Sequence, residues 1–128
     1  MITANIKVTI DRPVTQVWRK VTDFGNQQWR SDLTHAETLS EKSFIEIAGN
    51  GTKTEFAVFR FDPHQRLELQ FENDYISGQW IGIFIGQGAQ TTLDFTEQVR
   101  CKKWWLAPFV GRQLKKMQQQ YMRDLVKA

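Results

Sequence analysis

Arg60 is the side chain in this 128-residue chain whose neighbours give it the most chemistry to do. It shares strand parity with Phe56 and Val58, while Ala57, Phe59 and Phe61 on the other parity are apolar too. If Phe56 and Val58 line an interior, Arg60 lines it with them. A buried guanidinium must be paired, either with an acid such as Glu46, Glu68 or Asp94 or with an anionic group of a ligand. The alternative is a surface arginine whose stem covers the outer sheet. The other reactive groups stand alone. His64 falls in the bend Asp62–Arg66 and reads as an exposed turn residue, whereas His35 opens a strand and could stand at a cavity mouth. Cys101 sits beside Lys102 and Lys103, the setting of a reactive thiolate, but no histidine is near it in sequence, and it reads as a small residue ending a strand. Cys101, His35 and His64 share no ligand spacing, so neither a metal nor any other cofactor is expected.

No G-x-S-x-G, phosphate-binding loop or H-E-x-x-H occurs. Gly86-Gln87-Gly88 supplies two glycines of a dinucleotide fingerprint, but Thr91 stands where the third belongs and no helix follows; it reads as a hairpin turn. Asn50-Gly51-Thr52 has the form of a glycosylation sequon. Met1–Ile10, interrupted by Asn5, Lys7 and Thr9, does not resemble a secretory leader, so this too reads as a turn and a cytoplasmic location is expected. An enzyme would have to draw its acid and base from Arg60, Glu46, His35, Tyr121 and Asp94, and no spacing among them selects a pair.

Composition sets the frame that must position these groups. Hydrophobic residues make up 41% and charged residues 24%, which excludes a disordered or collagen-like chain. A single cysteine excludes an intramolecular disulfide, and no apolar run approaches the ~18–20 residues of a membrane span. The length fits one domain spanning 1–128. The net charge of +3 is unevenly placed: residues 100–128 carry +7 and residues 1–99 carry −4.

Ile2, Ala4, Ile6, Val8 and Ile10 alternate with polar residues, the period of a half-buried strand. Pro13 is placed to open a helix, and Val14, Val17, Trp18 and Val21 give it one apolar face. A short second helix through Trp29–Leu33, capped at Asn26, is expected next. Six strands follow: 34–39, 43–48, 53–61, 67–71, 79–85 and 91–99. Asn50-Gly51 marks a type I′ hairpin, in which both central residues need positive φ. From Pro108 to Lys127 a helix about 30 Å long presents Val110, Leu114, Met117, Tyr121 and Leu125 on one side, and Arg112, Lys116, Gln119, Arg123 and Lys127 on the other. The order β-α-α-β-β-β-β-β-β-α is an α+β arrangement in which a curved antiparallel sheet wraps a long helix that cannot fill it, leaving a cavity.

With these elements in place, the chain resembles the START-like, or birch-pollen-allergen-like, helix-grip superfamily (SRPBCC), and within it the polyketide cyclase/dehydrase and lipid transport branch. IKVTIDRPVTQVWRKVTDFGNQQW (6–29) looks like that branch's opening strand, Pro-started helix and following Trp. VFRFDPHQRLELQF (58–71) looks like its central hairpin. The resemblance implies the helix-grip fold, a seven-stranded sheet with two short helices between its first two strands. Members range from lipid carriers to receptors, cyclases and co-chaperones, so it does not fix function.

The leading expectation is a protein that encloses a small hydrophobic or amphipathic molecule, lipid-like or polycyclic, between sheet and C-terminal helix. The cavity is expected to be lined by Trp29, Phe56, Val58, Arg60, Leu69, Phe71, Trp80, Phe84, Leu114, Met117 and Tyr121. A cyclase- or dehydratase-like enzyme using the same cavity is the alternative, and a partner-binding module using the basic helix face is a third. Lys102-Lys103-Trp104-Trp105 has the composition of a weak contact with anionic membrane, set against a plain wedge of the helix onto the sheet. A basic face alone gives nucleic acid only salt-sensitive, nonspecific affinity.

Overall fold

The alternation in Ile2–Ile10 becomes strand β1, with Ala4 and Ile10 buried and Thr3, Asn5, Lys7 and Thr9 exposed. The computed structural model describes residues 1–128. Helix α1 (Val14–Thr22) follows, then six strands: β2 (Leu33–Ser40), β3 (Ser43–Ala48), β4 (Lys53–Asp62), β5 (Arg66–Glu72), β6 (Ile76–Gln87) and β7 (Gln90–Cys101). A turn of 3₁₀ helix at Trp104–Leu106 leads into helix α2 (Ala107–Lys127). The strands form one antiparallel sheet in the order β1-β7-β6-β5-β4-β3-β2, with β1 and β2 at its edges.

Val17, Trp18 and Val21 bury the apolar face of α1, which packs on β6 and β7. Pro13 caps this helix from an extended conformation rather than starting it. The expected second helix is absent. Residues 23–32 make separate turns instead, with Asn26 N–H donating to Asp23 C=O at 3.0 Å and Arg30 N–H to Gln27 C=O at 3.0 Å. Side chains compete for this backbone: the Gln27 amide donates to Asp23 C=O at 2.8 Å, and Ser31 N–H goes to Asp124 of α2 at 2.7 Å. A helix capped at Asn26 would turn the Ser31 N–H away from Asp124 and onto a carbonyl of its own first turn.

The Asn50-Gly51 turn also differs from expectation. Gly51 alone has positive φ, at 88°. Gly51 N–H donates to Ala48 C=O at 2.9 Å and Ala48 N–H to Thr52 C=O at 2.9 Å, so a three-residue loop ends in a left-handed glycine.

β4 contains the irregularity with the largest consequence. Val58 pairs with Leu69 but Arg60 pairs with Glu68, so one residue, Phe59, is extra. An inserted residue reverses the facing of everything beyond it. Phe56 and Val58 face inward before the bulge; after it Phe61 turns inward to meet Trp18, with ring centroids 5.2 Å apart, and Arg60 turns outward.

α2 packs chiefly along edge strand β1. Its buried residues are Leu114, Gln118, Met122, Asp124 and Leu125, a stripe rotated from the expected one. Gln118 belongs there because its amide donates to Ala4 C=O at 3.1 Å on the sheet edge, where a carbonyl lacks a neighbouring strand. Met117 is consequently 42% exposed.

Candidate functional site

Because α2 lies over β1 and β7, the concave side of β3–β6 is left uncovered near the middle of the helix. A cavity of about 160 Å³ occupies that space, and 16 of its 24 lining residues are hydrophobic. Phe56 on β4, Leu69 and Phe71 on β5 and Trp80 on β6 supply its sheet wall, while Leu114, Met117 and Tyr121 supply its helical one. The Trp80 indole lies across Gly82; a Cβ there would sit 2.4 Å from the ring, so the glycine lets the indole lie flat.

The remaining site candidates lie elsewhere. Val58 and Phe84 pack into the core cluster beside the cavity. Trp29 meets Tyr121 edge-on at 5.1 Å, outside the cavity lining, and its indole N–H is buried without a partner. Arg60 does not reach the cavity: its side chain is 53% exposed, 2.7 Å from Asp62 and 3.6 Å from Glu68, because the bulge has turned it outward. Among the acid–base candidates, Glu46 and Tyr121 line the cavity. His35 is exposed, and Asp94 accepts from Asn5 at 2.7 Å on the outer face.

The buried arginine is Arg30. It comes from the irregular segment after α1, where no periodicity marks it. Its Nη1 donates to Glu46 Oε2 at 2.7 Å, its Nη2 to Asp32 Oδ2 at 2.8 Å and its Nε to Asp32 Oδ1 at 3.2 Å. Its Cζ lies 5.0 Å from the Tyr121 ring centroid. Burial opposes the charge on Arg30, but Glu46, Tyr121 and Asp32 outweigh it and hold its pKa above the usual value. Burial raises Glu46 as well, partly offset by Arg30. Two carboxylates thus neutralise this guanidinium without a ligand.

Glu97 is the second residue the sequence reading passed over. It falls between Phe95 and Val99 on the inward parity of β7, opposite Trp80 on β6, and lines the cavity. Burial pushes its carboxyl up to about 7; Arg30 pulls it down and Glu46 pushes it up, and no hydrogen bond contributes. Tyr121 is also raised by burial, again with no hydrogen bond to its hydroxyl. The cavity therefore has an apolar body and one polar end. That end holds a neutralised arginine, a carboxyl able to give or take a proton near neutrality and an unpaired phenol. No three His, Cys, Asp or Glu side chains converge as a metal site, and no helix is long and apolar enough to cross a membrane.

The sequence profile of the polyketide cyclase / dehydrase and lipid transport family matches residues 1–128. The chain belongs to this family. Its fold is that of the START superfamily. A START superfamily protein from Mycobacterium smegmatis superposes with a TM-score of 0.88 at 14% identity, covering 98% of this chain and 94% of that one. XoxI from Bacillus cereus superposes with a TM-score of 0.84 at 8% identity, covering 99% and 94%. The di-domain aromatase/cyclase BexL of the BE-7585A biosynthetic pathway reaches 0.83 at 14%, covering 99% of this chain and 46% of that one. Identities this low carry the fold alone. No curated protein matches the sequence.

Proposed function

We propose that this protein binds a small hydrophobic or amphipathic molecule in the cavity between sheet and α2. The observation that carries this reading is an apolar cavity of about 160 Å³ ending in Arg30, Glu46 and Glu97. An apolar cavity of about 150 Å³ admits benzene, so a body the size of one ring fits without repacking. Such a body hides about 150–250 Å², which at about 25 cal/mol per Å² supplies roughly 4–6 kcal/mol. That corresponds to about millimolar to tens-of-micromolar affinity before the entropic cost of association is subtracted, so the polar end must supply the rest. Longer lipid-like or polycyclic ligands require the rim to open, and Met117, flexible and partly exposed, is the side chain placed to yield. Native mass spectrometry of the protein as purified tests the proposal: a retained small molecule supports it, and a chain that neither carries nor takes up any apolar molecule removes it.

A cyclase- or dehydratase-like activity in the same cavity is the second reading. Glu97 supports it, because a carboxyl titrating at about 7 is suited to moving protons at neutral pH. Turnover of an enolisable substrate that disappears in Glu97→Gln would establish it.

The membrane contact also gains support. Trp104 is 85% exposed, Phe109 69% and Trp105 54%, in a segment where Lys103 stands over the Trp105 ring at 6.0 Å. Aromatic rings in solvent beside cations are what an anionic bilayer surface receives. Lys102 is paired with Glu72 at 2.6 Å and is less available.

A further inference from the structure

We propose that the cavity selects a protonated amine on an apolar body the size of one ring, with Glu97 as its counter-charge. The inference rests on the ligand-binding reading above and names the ligand class. Glu97 is an acid on a strand face otherwise built from Leu93, Phe95 and Val99, and its carboxylate reaches the cavity without a protein donor. Desolvating a carboxylate is costly unless something pairs with it. The one buried cation nearby, Arg30, already gives its Nε, Nη1 and Nη2 to Asp32 and Glu46. Arg30 and Asp32 from the segment after α1, Glu46 from β3, Glu97 from β7 and Tyr121 from α2 all line the cavity. With Glu97 ionised, that set carries two negative charges in excess, which repels an anionic ligand and attracts a cation.

The apolar walls fit the same ligand. Trp80 is the cross-strand partner of Glu97, and Phe95 precedes Glu97 on the same face with its ring centroid 4.6 Å from that of Trp80. Aromatic faces beside a carboxylate are the chemistry that recognises ammonium groups. Arg60, which from sequence could have met an acid or an anionic ligand group inside or stayed on the surface, lies outside and paired with Asp62, so it brings no positive charge to the cavity.

Titration calorimetry of the intact protein at pH 8 with benzylamine, benzyl alcohol and benzoate tests this. The amine is expected to bind at least about tenfold more tightly than the alcohol, because only the ammonium brings a full charge opposite to that of Glu97, and benzoate not to bind. Glu97→Gln should remove that advantage. In the wild type, lowering the pH from 8 to 5.5 should do the same by protonating Glu97, a readout that needs no variant to fold. An amine bound no better than the alcohol, or an advantage that survives Glu97→Gln or acidification, overturns the amine proposal while the cavity reading stands. If neither amine nor alcohol binds, the amine proposal falls together with the single-ring ligand on which it rests.

Discussion

Arg30 and Glu46 meet at 2.7 Å inside the cavity, tying the irregular segment after α1 to β3. Ser31, the next residue, is held from the opposite side by Asp124 of α2 through its N–H at 2.7 Å and its hydroxyl at 2.8 Å. The segment is thus a strap stretched between sheet and helix. Arg30→Met strands two carboxylates in low dielectric and is expected to cost about 3–5 kcal/mol, read from the urea midpoint at pH 7.5. Adding Glu46→Leu should recover part of that loss, since it removes one stranded charge. A single variant costing under about 1 kcal/mol would mean that the pair behaves as a solvated surface bridge.

Glu97 makes stability depend on pH in an uncommon direction. Its proton is held up to about pH 7 in the folded protein but only to about 4.5 in the unfolded chain. Between those values the folded state binds more protons, so stability falls as pH rises. The full shift corresponds to about 3 kcal/mol. Glu97→Gln should flatten this slope and exceed wild type in stability above pH 7.5, as melts from pH 4.5 to 8 would register. Asp124 acts in a separate window: burial raises its pKa, but hydrogen bonds from Ser31 and Gln120 outweigh that and lower it. Its contribution is lost only in acid, below its ordinary value. A wild-type slope that persists in Glu97→Gln would assign the titration to another group.

Trp29→Phe is expected to change stability by no more than about 1 kcal/mol, although the residue is half-buried against Tyr121. Its orphaned indole N–H costs about 1–3 kcal/mol, and phenylalanine removes that cost while keeping most of the ring contact. Trp29→Ala, which also deletes the ring contact, should cost more than Trp29→Phe, by about 1–3 kcal/mol for a half-buried ring. Equal losses from the two variants would point to a hydrogen bond made by the indole in solution.

Sedimentation with vesicles examines the exposed aromatics. Wild type is expected to pellet with anionic but not neutral vesicles at low salt, and the double variant Trp104→Ser/Phe109→Ser to stay in the supernatant. Both residues are exposed, so the variant's melting temperature should match wild type. Equal recovery with both vesicle types ends the membrane reading.

The sheet, α1 and α2 were legible because each carries a period. Alternation in Ile2–Ile10 and Leu67–Phe71 and the 3.6-residue spacing around Trp18 report which face is buried, whatever it is buried against. Glu97 was passed over, although its parity with Leu93, Phe95 and Val99 carried the signal: an acid on that face is the exception. Arg60 was misplaced because parity counting assumes an unbroken strand, and the bulge at Phe59 arises from pairing with β5, on another part of the chain. The stripe of α2 turned toward Gln118 and Met122 because a free carbonyl on β1, over a hundred residues away, satisfies the amide. Arg30 left no trace in sequence, since residues 23–32 have no repeating geometry to read. Their conformation depends on contacts with Glu46 of β3 and Asp124 of α2, both distant in sequence. Sequence thus determined the elements, through local periodicity. The tertiary structure decided which charges share the cavity, because a buried charge goes where a distant partner can neutralise it.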